Sequence, residues 1–335
     1  MADEPVRLSI DDAFRLARDA LIAAGAAPRH ADRVAEAVIA AELDSRSSQG
    51  LAQIPVYAGQ LAAGEIDGRA MPEIVQRAPS AITIDAHSGF AHAAIDLGLG
   101  EAVPCAATTG CCVLAVAHAC RAGRLGPYVE RIAESGQIGL AFAGGSAAPG
   151  VQGERGLVTD SRPLALAVPR SNAPPLVIDL SMTTVAQGHA MLAAQYGETA
   201  PQRELKDVQA GQEADARIAG AAQQGAALSL VIEIVAAALT ARVAPVASSA
   251  GPDDVELMPE SGPVLFLIDP NRLGGEDFGP RLESLLQTVP GGPAVCRRAA
   301  RGEVARESVR RQGVAISAEL EARLRALTSR SAPAE

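Results

Sequence analysis

Five histidines, three tyrosines and a single lysine, Lys206, carry nearly all the proton-exchanging nitrogen and phenol chemistry of this 335-residue chain. His118 has the most suggestive setting. It ends the apolar run Val113-Leu114-Ala115-Val116-Ala117, on a strand-to-helix turn that carries Arg121 three residues later. An imidazole there can exchange a proton near neutral pH. A planar guanidinium can hold a carboxylate through two parallel hydrogen bonds. Tyr57 is a further proton carrier and Arg46 a spare cation, so the set suits acid–base work on a small anion. Each also has a structural alternative: a His closing an apolar strand is often a satisfied structural group, Tyr57 can be packing, and Arg46 reads first as solvated. His30, His87, His92 and His189 stand without a partner pattern. One lysine all but excludes a mechanism that needs a catalytic amine.

Composition narrows the partners. Twenty-nine basic against thirty-nine acidic side chains give a net charge of −10, which repels nucleic acid and anionic lipid; only a short basic run near the C-terminus opposes it. Trp is absent and aromatics are 2%, so the core must be built from Ala, Leu, Val and Ile. Cys105, Cys111, Cys112, Cys120 and Cys296 form no repeated CxxC pair; they read as buried small hydrophobes in a reducing cytosol, with no metal site. The acidic start MADEPVRLSI lacks the apolar core of a signal peptide, and Ala226 to Ala241, the most apolar stretch, is short for a bilayer and carries Glu233. A cytoplasmic location is expected.

The elements that would position these residues follow from periodicity. Ser9 is a plausible cap for a helix ending at Gly25, a second helix spans His30 to Leu43, and a third runs from Pro55 to Ala63 against Gly64. Ala81–Asp85, Cys111–Ala117, Ile138–Phe142, Leu164–Val168, Leu176–Leu180 and Val264–Asp269 read as strands. Helices are expected over 88–104, 128–134, 183–195, 226–242 and 318–328, with a polar excursion at 197–216. Strand and helix alternate from 81 to 142, which implies an α/β layer with part of its sheet parallel. No GxGxxG follows a strand.

Five segments sit in an order that resembles the malate/L-lactate dehydrogenase family: Ser48-Gln49-Gly50-Leu51-Ala52-Gln53-Ile54-Pro55-Val56-Tyr57, Gly123-Arg124-Leu125-Gly126-Pro127-Tyr128-Val129-Glu130, Ile178-Asp179-Leu180-Ser181-Met182-Thr183, Leu267-Ile268-Asp269-Pro270 and Arg301-Gly302-Glu303. The resemblance covers essentially the whole chain. It implies a non-Rossmann α/β fold like that of sulfolactate dehydrogenase, with a mixed sheet at 73–296 and a helical domain assembled from 1–72 and 297–335. It also implies a homodimer and NAD or NADP as cofactor. The family's cofactor segments would fall on Asp179, Leu180 and Ser181, on Gln224 and Gly225, and on Gly302 and Glu303. A helix beginning near Ser181 could offer unpaired N–H groups to a phosphate, or Asp179 and Ser181 could merely cap it.

The catalytic positions depart from the family pattern. The family's Ser-His-Gly, with an Arg three residues after the Gly, reads Ser48-Gln49-Gly50 here, followed by Gln53. Its second His falls on Arg121, and its Lys-Gly before the long apolar helix on Gln224-Gly225. Gln exchanges no proton near neutral pH and Arg stays protonated. Losing a positioned base costs about 10²- to 10⁴-fold in rate. His118 is then the displaced base, Arg121 the carboxylate clamp and Tyr57 a second proton carrier, with Ser48 and Gln49 beside them. Three readings stand: an NAD(P)-dependent oxidoreductase on a small 2-hydroxy or 2-oxo acid or a cyclic imine, an inactive relative kept as a binding or regulatory subunit, and an enzyme of changed, non-redox chemistry on an anionic substrate. The first is the working expectation.

Overall fold

The computed structural model describes residues 5–120, 122–144, 163–181, 262–288 and 292–329 and positions 231, 232, 235, 236, 239 and 240, with backbone alone at 181 and 292–301. Two buried apolar clusters organise them. The first is helical. Ser9 caps α1 (Ile10–Ala23) by accepting the Asp12 N–H at 3.0 Å, and Asp11 and Asp12 occupy the first turn, where the helix dipole favours acids. Pro28 opens α2 (Pro28–Leu43). Gly64 stops α3 (Ile54–Ala63) in the left-handed conformation, φ +74°, which glycine reaches without strain. Ala13, Ala17 and Leu21 of α1 join Val34 and Ile54 in this cluster. Strand β1 (Val6–Leu8) pairs antiparallel with β9 (Val314–Ile316), and Leu320 and Leu324 of α9 (Ala318–Thr328) join the same cluster.

The second cluster surrounds a seven-stranded sheet of β2 (Glu73–Ala78), β3 (Ala81–Asp85), β4 (Cys111–Ala117), β5 (Ile138–Ala143), β6 (Pro163–Val168), β7 (Leu176–Ser181) and β8 (Pro263–Ile268), in the spatial order β2-β3-β4-β8-β5-β6-β7. Only β3 and β4 run parallel, joined by the crossover helix α4 (Ala91–Thr109). A Cβ at Gly98 would run into the Leu114 side chain, so this glycine lets α4 lie directly on β4. Helix α5 (Gly126–Glu134) covers β5 and β6. Strand β8, PVLFLI, is largely buried and holds the two halves of the sheet together by pairing antiparallel with both β4 and β5. The result is a mixed α/β fold whose mostly antiparallel sheet is unlike the parallel, doubly wound sheet of a Rossmann domain.

Every strand expected from the sequence is present within a residue or two. Six further strands and helices appear: β1, β2 and β9; the short helix α6 (Pro270–Gly274), capped by the Asp269 carboxylate; and helices α7 (Phe278–Thr288) and α8 (Gly292–Gln312). The expected helix at 183–195 and the polar excursion at 197–216 lie outside the described residues. The described positions between 231 and 240 are helical, as expected for 226–242. Among the described residues no helix is long and apolar enough to cross a membrane, and no group of His, Cys, Asp and Glu is arranged to hold a metal.

Candidate active site

The Ser48-Gln49 segment is shaped from below by a buried acid. After α2 the chain makes two single 3-10 turns, Ser47–Gln49 and Leu51–Gln53, hinged at Gly50. Glu42, buried in the last turn of α2, accepts the Leu51 N–H at 2.8 Å and a hydrogen bond from the Ser47 side chain. Burial pushes the Glu42 carboxyl up, and these two hydrogen bonds only partly offset the rise. A Cβ at Gly50 would fall on the Glu42 carboxylate, so glycine is required where the two turns join. Gln53 donates its side-chain amide to the Ser48 carbonyl at 2.6 Å, tying the segment from the other side. Ser48 and Gln49 remain half-buried, and Arg46 is exposed.

Tyr57 is buried on α3 and meets Phe90 and His92 edge-on, with ring centroids 5.9 and 6.0 Å away; His92 in turn meets Tyr128 at 6.4 Å. This aromatic group spans the seam between the two apolar clusters. It sits under Gly123: a Cβ there would lie 3.9 Å from the Tyr57 hydroxyl and 3.8 Å from His92 Nε2. Burial alone pulls His92 down to about 4, so its ring is neutral, and its Nδ1 has no hydrogen-bond partner among the described residues.

His118 lies at the other end of the same segment. It follows the last residue of β4, with a left-handed backbone (φ +50°), and its ring Nδ1 is 2.9 Å from Asp85 Oδ2. Asp85 is the last residue of β3, and because the two strands are parallel, with Asp85 opposite Ala117, both side chains leave the sheet at one edge. Asp85 Oδ1 accepts the His87 backbone N–H at 2.7 Å. Burial pushes the Asp85 carboxyl up, but the His87 N–H and His118 outweigh it and hold the group below the usual carboxylate range. The His118 side chain is 31% exposed, so solvent can reach it. The structure thus gives His118 a partner that the sequence reading lacked; Arg121, the expected clamp, lies outside the described residues.

The expected cofactor segments are partly brought together. Helix α8, bearing Gly302 and Glu303, packs beside β7, which bears Asp179, Leu180 and Ser181; Gln224 and Gly225 lie outside the described residues. Asp179 turns inward, takes Arg124 Nε at 3.1 Å and Nη2 at 2.8 Å, and fills the space a side chain at Gly126 would need. It therefore sits at the start of α5, and Ser181 ends its strand. Arg124 also pairs with Asp44, which pairs with Arg306, and Arg306 grips Glu130 through two bonds of 2.7 and 2.9 Å. Burial raises Asp44, yet the two guanidinium groups more than reverse this and hold its carboxyl below the ordinary value. Glu303 contacts Arg306 and Arg310. Leu180 is exposed and offers an apolar ledge, and Glu303, 46% exposed, presents a carboxylate that could accept from a sugar hydroxyl, whereas Asp179 is occupied by Arg124.

Comparison with known proteins decides the kinship. The malate/L-lactate dehydrogenase profile matches residues 8–325. The chain belongs to this family. Among family relatives, a (2R)-3-sulfolactate dehydrogenase (NADP(+)) of Chromohalobacter salexigens is 32% identical over 84% of this chain and 86% of its own length. A Delta(1)-pyrroline-2-carboxylate reductase of Ancylobacter novellus is 28% identical over 98% of this chain and 99% of its own. The solved structure of delta1-piperideine-2-carboxylate reductase from Pseudomonas syringae superposes with a TM-score of 0.73 at 26% identity, covering 96% of this chain and 99% of that one. Within this family fold, Asp85, Glu42 and the Asp44–Arg306 pair were invisible to motif reading. The one signal for Asp85 was its place at the end of the strand preceding the strand that His118 ends.

Proposed function

We propose that this chain is an NAD(P)-dependent oxidoreductase acting on a small 2-hydroxy or 2-oxo acid or on a cyclic imine. Kinship supports the redox half of the reading, since relatives spanning most of the chain are named for such reactions. One observation supports an active rather than an inert chain: a solvent-reachable imidazole, His118, hydrogen-bonded through Nδ1 to a carboxylate at a sheet edge. A bound nicotinamide would supply or take the hydride. In the chain itself, Nε2 of His118 moves the proton at the substrate oxygen or nitrogen. Ser48 and Gln49, held by Glu42 and Gln53, orient the substrate by hydrogen bonds, and Arg121 neutralises its carboxylate. Tyr57 lines the floor beneath Gly123. Asp179, Leu180, Ser181, Gln224, Gly225, Gly302 and Glu303 hold the dinucleotide.

The same proposal takes 1–72 with 297–335 as one domain and 73–296 as the other, in a cytoplasmic homodimer. A second reading, an inactive binding or regulatory subunit, is favoured by Gln49, whose amide exchanges no proton near neutral pH. Calorimetric titration with NADH and then NADPH separates the two, because without Trp the optical signal of nicotinamide binding is dim. Micromolar binding followed by turnover of a 2-oxo acid or cyclic imine is the expected result. Absence of binding to both nucleotides refutes the oxidoreductase reading.

A further inference from the structure

We propose that Asp85 is the positioning residue of the proton-transfer step: it fixes the tautomer of His118 and steadies the imidazolium that forms when His118 takes a proton. The proposal rests on the reading of His118 as the proton carrier. A neutral imidazole has one N–H and one lone pair, and the partner of one nitrogen decides which atom carries which. Asp85 is held ionised and is an acceptor only, so at 2.9 Å it requires the proton on Nδ1 and leaves the lone pair on Nε2. The opposite tautomer would set two lone pairs against each other.

The pair is held from both ends. The second oxygen of Asp85 is occupied by the His87 N–H at 2.7 Å, which fixes the carboxylate plane. The His118 carbonyl accepts the Ser88 N–H at 2.7 Å, which fixes the backbone that carries the ring. His87, Ser88 and His118 all have left-handed backbones, φ +51°, +62° and +50°, in this one knot. Strain of that kind persists only where surrounding contacts impose it. Among the described residues the other ionisable groups facing Asp85 are the His87 ring, 3.6 Å away, and beyond it Glu73 on β2, whose carboxylate lies 3.7 Å from the far nitrogen of His87. His118 alone among these puts a ring nitrogen within hydrogen-bond distance of Asp85. In the oxidative direction the substrate gives up a hydride and a proton; the proton goes to Nε2, and Asp85 stays ionised beside the cation. In reduction Nε2 returns that proton to the carbonyl oxygen or imine nitrogen.

The test uses the full chain labelled with ¹⁵N-histidine, observed at alkaline pH where imidazoles are neutral, with His118→Gln to assign the signal. The expected spectrum shows His118 protonated at Nδ1 and bare at Nε2, and Asp85→Asn, whose amide can donate to Nδ1, moves the proton to Nε2. On the substrate that supports turnover, Asp85→Asn lowers kcat by roughly 10²- to 10⁴-fold with KM within about threefold, and Asp85→Glu recovers part of the loss. A wild-type His118 protonated at Nε2, or an Asp85→Asn kcat within about twofold of wild type, overturns the proposal. The wild-type spectrum needs no variant to fold. It reads the tautomer that Asp85 imposes even when calorimetry shows no nicotinamide binding, an outcome that refutes the proposed function separately.

Discussion

Asp44 carries the ion pairs that join the end of α2 to α5, β7 and α8, and replacing it with Asn removes one charge with almost no change of shape. Asp44 accepts from Arg124 and from Arg306, and the four side chains Asp44, Arg124, Asp179 and Arg306 are only 15–23% exposed. A hydrogen bond to a charged group contributes about 1.5–3 kcal/mol net. Two of them would contribute about 3–6 kcal/mol. Partial solvation and the second carboxylate that each arginine keeps, Asp179 and Glu130, bring the expected loss for Asp44→Asn to about 2–4 kcal/mol. Urea unfolding at pH 7 should show a lower midpoint at unchanged slope. The pH dependence gives a second check. The folded carboxyl is held below its unfolded value, so its contribution is complete above about pH 4 and vanishes as pH falls through the folded value. The gap between wild type and variant should therefore stay constant from pH 7 to 5 and narrow near pH 3. Arg311→Ala, which removes an exposed i,i+4 pair with Glu307, should cost no more than about 0.5 kcal/mol. An Asp44→Asn loss under about 1 kcal/mol, or a gap that does not narrow in acid, refutes the account.

Gly50→Ala should expel Glu42 from the Leu51 N–H, lower stability by about 2–3 kcal/mol and weaken substrate binding through Ser48 and Gln49, read from thermal melts and KM. His92→Phe should be neutral or stabilising at pH 7.5, because it removes a buried nitrogen without a partner. His92 titrates at about 4 in the fold, so wild type loses stability as pH falls from about 6.5 toward 4, and the variant should lose less between pH 7.5 and 5 in the same melts. Burial and the neighbouring Cys105 thiol push Cys112 up to about 12, whereas Cys111 is exposed; brief alkylation at pH 8 read by mass spectrometry should mark Cys111 and leave Cys112 unmodified.

The helical entry to the chain was legible because its signals are local: Ser9 caps, Pro55 opens and Gly64 stops. The strands were legible because runs such as Cys111–Ala117 are apolar and bounded by turns. Their spatial order was not, since nothing local in Val264–Asp269 says that this strand enters between Cys111–Ala117 and Ile138–Phe142. Helix α8, most of which falls in the C-terminal part that the resemblance made helical, was not legible from periodicity for a different reason. Its stretch GPAVCRRAARGEVARESVRRQ has no apolar stripe, and its described side chains are tied by pairs such as Arg311–Glu307 and Arg306–Glu303. At the site, His118 stood out as a residue type at a strand end, but its partner is 33 positions away and becomes visible only through parallel register.

The place of β8 also has a consequence for how the protein is made. Strands β4 and β5 are separated by 20 residues, yet each pairs with β8 and not with the other, so neither finds its inner neighbour until residues 263–268 have left the ribosome. Until then the β2-β3-β4 and β5-β6-β7 halves each present an apolar strand edge, the kind of surface on which nascent chains stick to one another. The helical cluster waits longer still, because β1 finds β9 only after residue 316. Such long-range closure makes for slow folding. Recovery from denaturant should then depend steeply on protein concentration, and chaperone supply during synthesis, more than the stability of the finished fold, should set the yield of active protein.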